Sequence, residues 1–366
     1  MKEILFNHIN CYWYKLLSNA RNQDDFGHRI LERAKLYMET NQMDPFVVYE
    51  GYNIGEELYQ SFIKNGNLQL TMNTFYEGLD KKYPGYFQYL ESKLHSWAVP
   101  LSYRSYISSG LLKHTPLEKE LNILGSTKSH TKYFEKLVDR IVRYLVNNSE
   151  RKPKGFVDIG CGDGFFLSLI KKKIESIFPD HFLYIGVDID ETSRSIAESI
   201  NGKNISFIYG DVSDPDLLNQ KIIELGLPSL DQYFHVRAFV DHNFNPLLHG
   251  VKNGHNEANL MDYEYRFGET IISENILNKS YVNHFKLWKK YICNYGIGII
   301  ELHKVNEHSF IKSPAFAYEI FHLLSDQFII DYHRFNELIK SADWVEVETE
   351  TVPSIGHPMI SLGIYH

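Results

Sequence analysis

The sequence has few cysteines, no long apolar run and no excess of positive charge, and each of these absences excludes a class of protein. Among its 366 residues are 3 cysteines, Cys11, Cys161 and Cys293, whose wide spacing predicts neither a disulfide framework nor a zinc site. No stretch approaches the ~18 uncharged apolar residues of a membrane helix, and the first residues lack the pattern of a signal peptide. We therefore expect a cytoplasmic protein that does not bind a membrane.

The charge balance is acidic, with 38 Lys and Arg against 46 Asp and Glu and a net charge of −8. This balance gives no reason to expect nucleic acid as a partner. The chain is 43% hydrophobic, which is enough for a sizeable core, and its length favours two domains.

Short apolar segments alternate with helical ones in the last 212 residues, whereas the residues before them are mostly helical in pattern. Such alternation predicts an α/β protein with a parallel sheet covered on both faces. The predicted strands are 155–159, 182–187, 205–209, 232–240 and 296–302, followed by a closing pair, 345–351 and 359–365, that is joined by a turn. Ligands of such sheets bind outside the carboxyl ends of the strands.

The best-defined motif is the glycine-rich turn Asp158-Ile159-Gly160-Cys161-Gly162-Asp163-Gly164, which follows a strand and opens a helix. Its third glycine comes two residues after the second, rather than the three of the usual dinucleotide fingerprint. It also lacks the Gly-Lys-Ser/Thr of a phosphate-binding loop. The turn therefore favours neither a dinucleotide nor a nucleoside triphosphate.

This turn resembles the first motif of class I S-adenosylmethionine (SAM)-dependent methyltransferases. Acids follow at the ends of the second and third predicted strands, Asp188 in Val-Asp-Ile-Asp and Asp211 in Gly-Asp-Val. The resemblance covers roughly residues 130–366 and implies a doubly wound, Rossmann-like sheet of seven strands with an antiparallel final hairpin. It also implies that Asp188 binds the ribose hydroxyls and Asp211 the adenine amine, while Asp158 meets the methionine ammonium. The full set of expected SAM contacts is Asp158, Gly160, Gly162, Gly164, Asp188, Ile189, Asp211 and Val212.

Polar residues also follow the fourth and fifth predicted strands. Asp241-His242-Asn243 comes after the fourth, and Glu301 and His303 lie on one face at the end of the fifth. A histidine at this edge can serve as a general base near neutral pH or as a metal ligand. We take His242, Asp241, His303 and Glu301 as the candidate catalytic residues.

The run Val236–Asn243, together with His322-Leu-Leu-Ser-Asp-Gln327, is similar to methyltransferase domains of polyketide assembly lines, some of which hold mononuclear iron or manganese. This similarity implies His242, His322 and Gln327 as ligands of Fe(II) or Mn(II). Oxygen and imidazole ligands suit such a metal, which could stabilise an enolate as a Lewis acid. A metal-free histidine base and an incidental histidine cluster remain as alternatives. Phe244-Asn245-Pro246 departs from the resemblance, which places a basic residue before the proline.

We expect a methyltransferase that acts on a small-molecule or carrier-protein-bound acyl acceptor of the polyketide type, at carbon or oxygen. The alternative is a non-catalytic scaffold with the same fold. The predicted domains are a helical cap at 1–128 and a methyltransferase domain at 129–366 with an insertion at 244–275. The N-terminal residues could instead form a homodimer or serve a purely structural role.

Overall fold

The computed structural model describes most of the chain. The described residues are 2–19, 25–65, 97, 101, 104, 116–178, 181–201, 205–249, 264–268, 270–304, 322–323, 325–354 and 358–366. The chain divides into two compact units, one formed by residues 1–130 and 306–325 and the other by residues 131–305 and 326–366.

The first unit is helical, with α1 (Lys2–Ser18), α2 (Asp25–Thr40) and α3 (Pro45–Asn65). Glycines let α1 and α3 approach closely, because a Cβ on Gly55 would lie 2.4 Å from the ring of Tyr12. The Tyr12 ring also packs against Trp97, at 5.8 Å between ring centroids. Within this unit Arg104 pairs with Glu56 at 2.7 Å. The long helix α4 (Pro116–Asn147) belongs to both sequence ranges.

The second unit contains a seven-stranded mixed sheet. Its strands lie in the order β3-β2-β1-β4-β7-β9-β8, with the first five parallel and β9 antiparallel to both of its neighbours. The strands are β1 (Gly155–Ile159), β2 (Leu183–Asp188), β3 (Ser206–Tyr209), β4 (Tyr233–Ala238), β7 (Ile297–Leu302), β8 (Glu346–Val352) and β9 (Ile360–Tyr365). A separate hairpin pairs β5 (Glu264–Phe267) with β6 (Thr270–Ser273).

Helices cover this sheet because each presents an apolar stripe to it. They are α5 (Phe165–Glu175), α6 (Glu191–Asn201), α7 (Pro215–Glu224), α8 (Glu274–Ile292) and α9 (Tyr332–Ser341), in addition to the end of α4. Helix α4 packs closely on the sheet at a glycine, since a Cβ on Gly298 would lie 3.4 Å from side-chain atoms of both Leu137 and Ile141. Among the described residues, no helix has the length and apolar character needed to cross a membrane.

The predicted fold class is confirmed, including the seven strands and the antiparallel closing pair. The largest difference at a strand end is at β4, which ends at Ala238 rather than at residue 240. Phe239 has a φ of 60° there, which takes the chain out of the sheet. The predicted insertion at 244–275 contains the β5–β6 hairpin, while residues 250–263 lie outside the described part of the chain.

The grouping of residues 306–325 with 1–130 was not predicted from the sequence. The role of the N-terminal residues as a cap stays a prediction.

Candidate active site

The carboxyl ends of four parallel strands lie side by side at one edge of the sheet. β1 pairs with β2 on one side and with β4 on the other, so the glycine-rich turn after β1 lies between the segments that follow those strands. The chain order reverses at this point, which is where ligands of doubly wound sheets bind.

The glycine-rich turn adopts a conformation that requires glycine. Gly160, Gly162 and Gly164 have φ values of 75°, 54° and 73°. The turn is fixed to β2 because the backbone amides of Gly160 and Cys161 both donate to the carbonyl of Val187, at 2.7 and 3.0 Å. The backbone is thus held open to a ligand at the start of α5.

Asp188, at the end of β2, organises this turn. Its Oδ2 accepts a hydrogen bond from the amide of Gly162 at 3.0 Å, and its Oδ1 accepts one from the amide of Asp190 at 2.9 Å. The next residue, Ile189, is 53% exposed, which is unusual for a large apolar side chain and suits contact with a ligand.

Asp158 is a buried carboxyl group at the base of the turn. Neither of its oxygens has a hydrogen-bond partner within the protein. Burial raises the pKa of Asp158 well above its ordinary value, and the charges of Asp188 and Asp163 raise it further. A buried carboxyl group among other acids is a fitting partner for a cationic ligand group, such as an ammonium or a sulfonium.

Asp211 and Val212 follow β3. The Oδ1 of Asp211 accepts a hydrogen bond from the amide of Ser213 at 2.8 Å, which fixes its carboxylate after the strand. The carbonyl of Val212 accepts one from the indole of Trp288 at 2.8 Å, so α8 holds this segment in place. The structure therefore gathers all the predicted SAM contacts around one edge of the sheet.

His242 and Glu301 form a buried pair. Nδ1 of His242 lies 2.6 Å from Oε1 of Glu301, and the same oxygen accepts the amide of Leu302 at 2.7 Å. Since the carboxylate fixes the proton on Nδ1, the ring nitrogen that can accept a proton or bind a metal is Nε2. A histidine oriented by a carboxylate is a common general base, and also a common metal ligand.

Asp241 and His303, the other two catalytic candidates, have other contacts. Asp241 is fully buried and pairs with Arg237 at 2.6 Å. Nε2 of His303 hydrogen-bonds with the hydroxyl of Ser361 at 2.7 Å, and burial lowers the pKa of His303 to about 3. His303 is therefore uncharged near neutral pH. The catalytic roles of these two residues stay predictions.

The three predicted metal ligands lie in different units. Gln327 is close to His242 along the backbone, because the amide of Phe328 donates to the carbonyl of His242 at 2.7 Å. The Oε1 of Gln327 is buried and has no hydrogen-bond partner in the protein, which suits a ligand atom. His322 is buried and belongs to the other unit. In the described part of the chain, no group of three His, Cys, Asp or Glu side chains is placed to hold a metal ion.

A buried network beside Asp241 was missed by sequence reasoning. The Arg237 guanidinium lies 4.0 Å above the Trp288 ring, and His284 Nε2 lies 3.3 Å from Asp241 Oδ1. The available signal was an arginine within the apolar strand Tyr-Phe-His-Val-Arg-Ala, since a buried charge requires a partner.

The sheet order, the glycine-rich turn and the acids after β2 and β3 together define a class I SAM-dependent methyltransferase. The profile of the AprA MT2-like domain, a methyltransferase family, matches residues 114–354, and the chain belongs to that family. No curated protein matches the sequence.

Solved structures share the fold at low sequence identity. The trans-methyltransferase CalH in complex with SAH is 11% identical, with a TM-score of 0.52 over 100% of this chain and 90% of CalH. Human N-acetylserotonin methyltransferase with SAM is 13% identical, with a TM-score of 0.42 over 73% of this chain and 58% of that one. The plantazolicin methyltransferase BpumL is 13% identical, with a TM-score of 0.41 over 75% and 97% of the two chains.

Proposed function

We propose that the enzyme methylates a small-molecule or carrier-bound acyl acceptor after His242 removes a proton from the acceptor. The observation that carries this proposal is the 2.6 Å contact between Nδ1 of His242 and Oε1 of Glu301 at the carboxyl edge of the sheet. A methyl acceptor must present an electron pair, so an acidic C–H or O–H group has to lose its proton first.

In the proposed reaction, Nε2 of His242 takes the proton and Glu301 stabilises the imidazolium that forms. The acceptor's electron pair attacks the methyl carbon of SAM as the C–S bond breaks, and the sulfur keeps the electrons of that bond. The products are the methylated acceptor and S-adenosylhomocysteine (SAH). The proton on His242 then passes to solvent.

The residues proposed to hold SAM are those around the glycine-rich turn. Asp158 has the buried, unpartnered carboxyl group that suits the methionine ammonium. Asp188 and Asp211 offer carboxylate oxygens to the ribose hydroxyls and the adenine amine, and charge strengthens both kinds of hydrogen bond. Ile189 supplies an exposed apolar surface beside them.

Metal assistance is the second candidate, and the unpartnered Oε1 of Gln327 favours it. His242, through Nε2, and Gln327, through Oε1, have donor atoms that fit Fe(II) or Mn(II), and His322 would complete the set. A bound metal would act as a Lewis acid on a 1,3-dicarbonyl acceptor. Metal analysis of protein purified without chelator tests this proposal. Stoichiometric iron or manganese that is lost in His322→Ala supports it, and a metal-free active enzyme contradicts it.

The test of the proposed function is methyl transfer from [methyl-¹³C]SAM to two probes, a malonyl thioester of pantetheine and a simple phenol. We expect label on the thioester with wild type and a rate lower by about 10²–10⁴-fold in His242→Gln, the usual contribution of a general base. SAM binding, measured by calorimetry, should be unchanged in this variant.

His181→Gln changes an exposed histidine and is the matched control for this experiment. Transfer to the phenol alone would replace the acyl acceptor with an oxygen acceptor. An unchanged rate in His242→Gln would remove the base assignment.

A further inference from the structure

The segment after β4, residues 239–243, bends sharply and we call it the post-β4 bend. Phe239 has a φ of 60°, which disfavours any side chain, and its amide donates to the carbonyl of Ile300 at 2.7 Å. Asp241–Asn243 then form a single 3₁₀ turn. A conformation that is intrinsically unfavourable persists only where surrounding contacts determine it.

The ion pair between Arg237 and Asp241 closes this bend. The two side chains join the last part of β4 to the start of the 3₁₀ turn at 2.6 Å, and both are fully buried. Arg237 is also held over Trp288, and Asp241 also contacts His284, both on α8. Burial opposes ionisation of Asp241, but the charge of Arg237 and the contact with His284 lower its pKa, so the carboxylate is charged.

The neighbour of Asp241 in the 3₁₀ turn is His242. Successive side chains of such a turn point about 120° apart, because it has three residues per turn. The Asp241 carboxylate contacts Arg237 and α8, while the His242 ring contacts Glu301 on β7. Anchoring one side chain of the turn therefore sets the direction of the other.

We propose that Arg237 and Asp241 are positioning residues that hold the His242 ring against Glu301. This inference rests on the proposed role of His242 as the group that activates the acceptor. Its physical content is that the ion pair fixes the tautomer and orientation of a ring that neither residue touches as a reacting group.

A buried ion pair could instead serve stability alone, and the experiment must separate these roles. Removing one partner leaves an uncompensated buried charge, whereas replacing both with apolar residues often restores stability. The informative variant is therefore the double change Arg237→Met with Asp241→Leu, together with Arg237→Lys, which keeps the charge and loses the planar fork.

The first readout is ¹⁵N NMR of histidine-labelled protein with SAM bound, with the His242 signals assigned from His242→Gln. We expect one tautomer, protonated at Nδ1, in wild type and a mixture of tautomers in the double variant. Arg237→Lys should give an intermediate signal. Arg140→Met, which breaks an ion pair with Glu348 and Glu350 on β8, should leave the His242 signals unchanged.

The second readout is turnover of the malonyl thioester probe. We expect kcat to fall by about 10–100-fold in the double variant, the usual effect of losing a residue that orients a catalytic histidine. The KM for SAM should change less than kcat. A double variant that melts like wild type and keeps its His242 tautomer and kcat would overturn the proposal.

The NMR measurement does not depend on the acceptor. If wild type fails to methylate the probe, the proposed function is wrong while the positioning result still stands or falls on the tautomer. If the double variant does not fold, Arg237→Lys decides the outcome, and wild-type signals in that folded variant contradict the proposal.

Discussion

Gly160 and Val240 approach so closely that a Cβ on the glycine would lie 2.2 Å from Cγ2 of the valine. Gly160 belongs to the glycine-rich turn, and Val240 belongs to the post-β4 bend that carries His242. This contact joins the segment proposed to hold SAM to the segment proposed to activate the acceptor.

We predict that Gly160→Ala abolishes SAM binding, because the new methyl group meets Val240 and the φ of 75° disfavours a side chain. Gly226→Ala is the matched control, since Gly226 has a φ of 76° and open space around it. The control should lower stability by about 1 kcal/mol and leave binding intact. Calorimetry and thermal unfolding of both variants check this, and SAM binding by Gly160→Ala at wild-type affinity would refute it.

We predict that Asp188→Ala weakens SAM binding by at least tenfold. The carboxylate orients the glycine-rich turn through the amide of Gly162 and is proposed to accept the ribose hydroxyls. A hydrogen bond to a charged group contributes about 1.5–3 kcal/mol, which corresponds to a tenfold effect or more. Glu191→Gln, an exposed acid on the following helix, is the control. Equal affinity in the two variants, measured by calorimetry, would contradict the assignment.

We predict that Asp158→Asn stabilises the SAM-free enzyme and weakens SAM binding. The raised pKa of Asp158 means that the folded chain holds this proton more tightly than the unfolded chain. Stability therefore falls as the pH rises from about 4 through the raised pKa, and the amide removes this penalty. The variant should melt a few degrees higher at pH 7 and lose its partner for the ammonium. Asp214→Asn, which keeps the cap of α7, is the control, and a less stable Asp158→Asn would exclude the account.

Buried histidines should make the folded state sensitive to acid. Burial lowers the pKa of His235 and of His249 to about 4, and that of His303 to about 3, whereas unfolded histidine titrates near 6.5. Below pH 6.5 the unfolded chain binds more protons, so stability is lost as the pH falls toward these values. Each group should add about 1.4 kcal/mol per pH unit to the slope within that window.

Urea unfolding at pH 7.5, 6.0 and 5.0 measures this slope. His235→Gln keeps a donor for the carbonyl of Leu230, which His235 contacts at 2.8 Å, and should reduce the slope by one proton. His181→Gln should not change it. An unaltered slope in His235→Gln would show that this histidine does not titrate as described.

The sequence predicted the sheet and the edge at which the proposed SAM contacts gather. These follow from local patterns, because strand–helix alternation and a glycine-rich turn are visible within a few residues of one another. The pairing of His242 with Glu301 could not be predicted, since it depends on the unusual φ of Phe239 and on strands 59 residues apart. The partner of Arg237 was hidden for the same reason, and no local pattern marks residues 306–325 as part of the first unit.

The acidic surroundings of Asp158 have a consequence for product release. SAM carries a positive sulfonium, whereas SAH carries a neutral thioether, so methyl transfer removes one positive charge from the vicinity of Asp158, Asp163 and Asp188. The same carboxyl groups that favour the incoming cofactor therefore attract the spent one less strongly. Added salt should reduce this discrimination, which the ratio of SAH to SAM dissociation constants at low and high ionic strength would measure. The site is in this sense discharged by its own reaction, and exchange of SAH for SAM restores it.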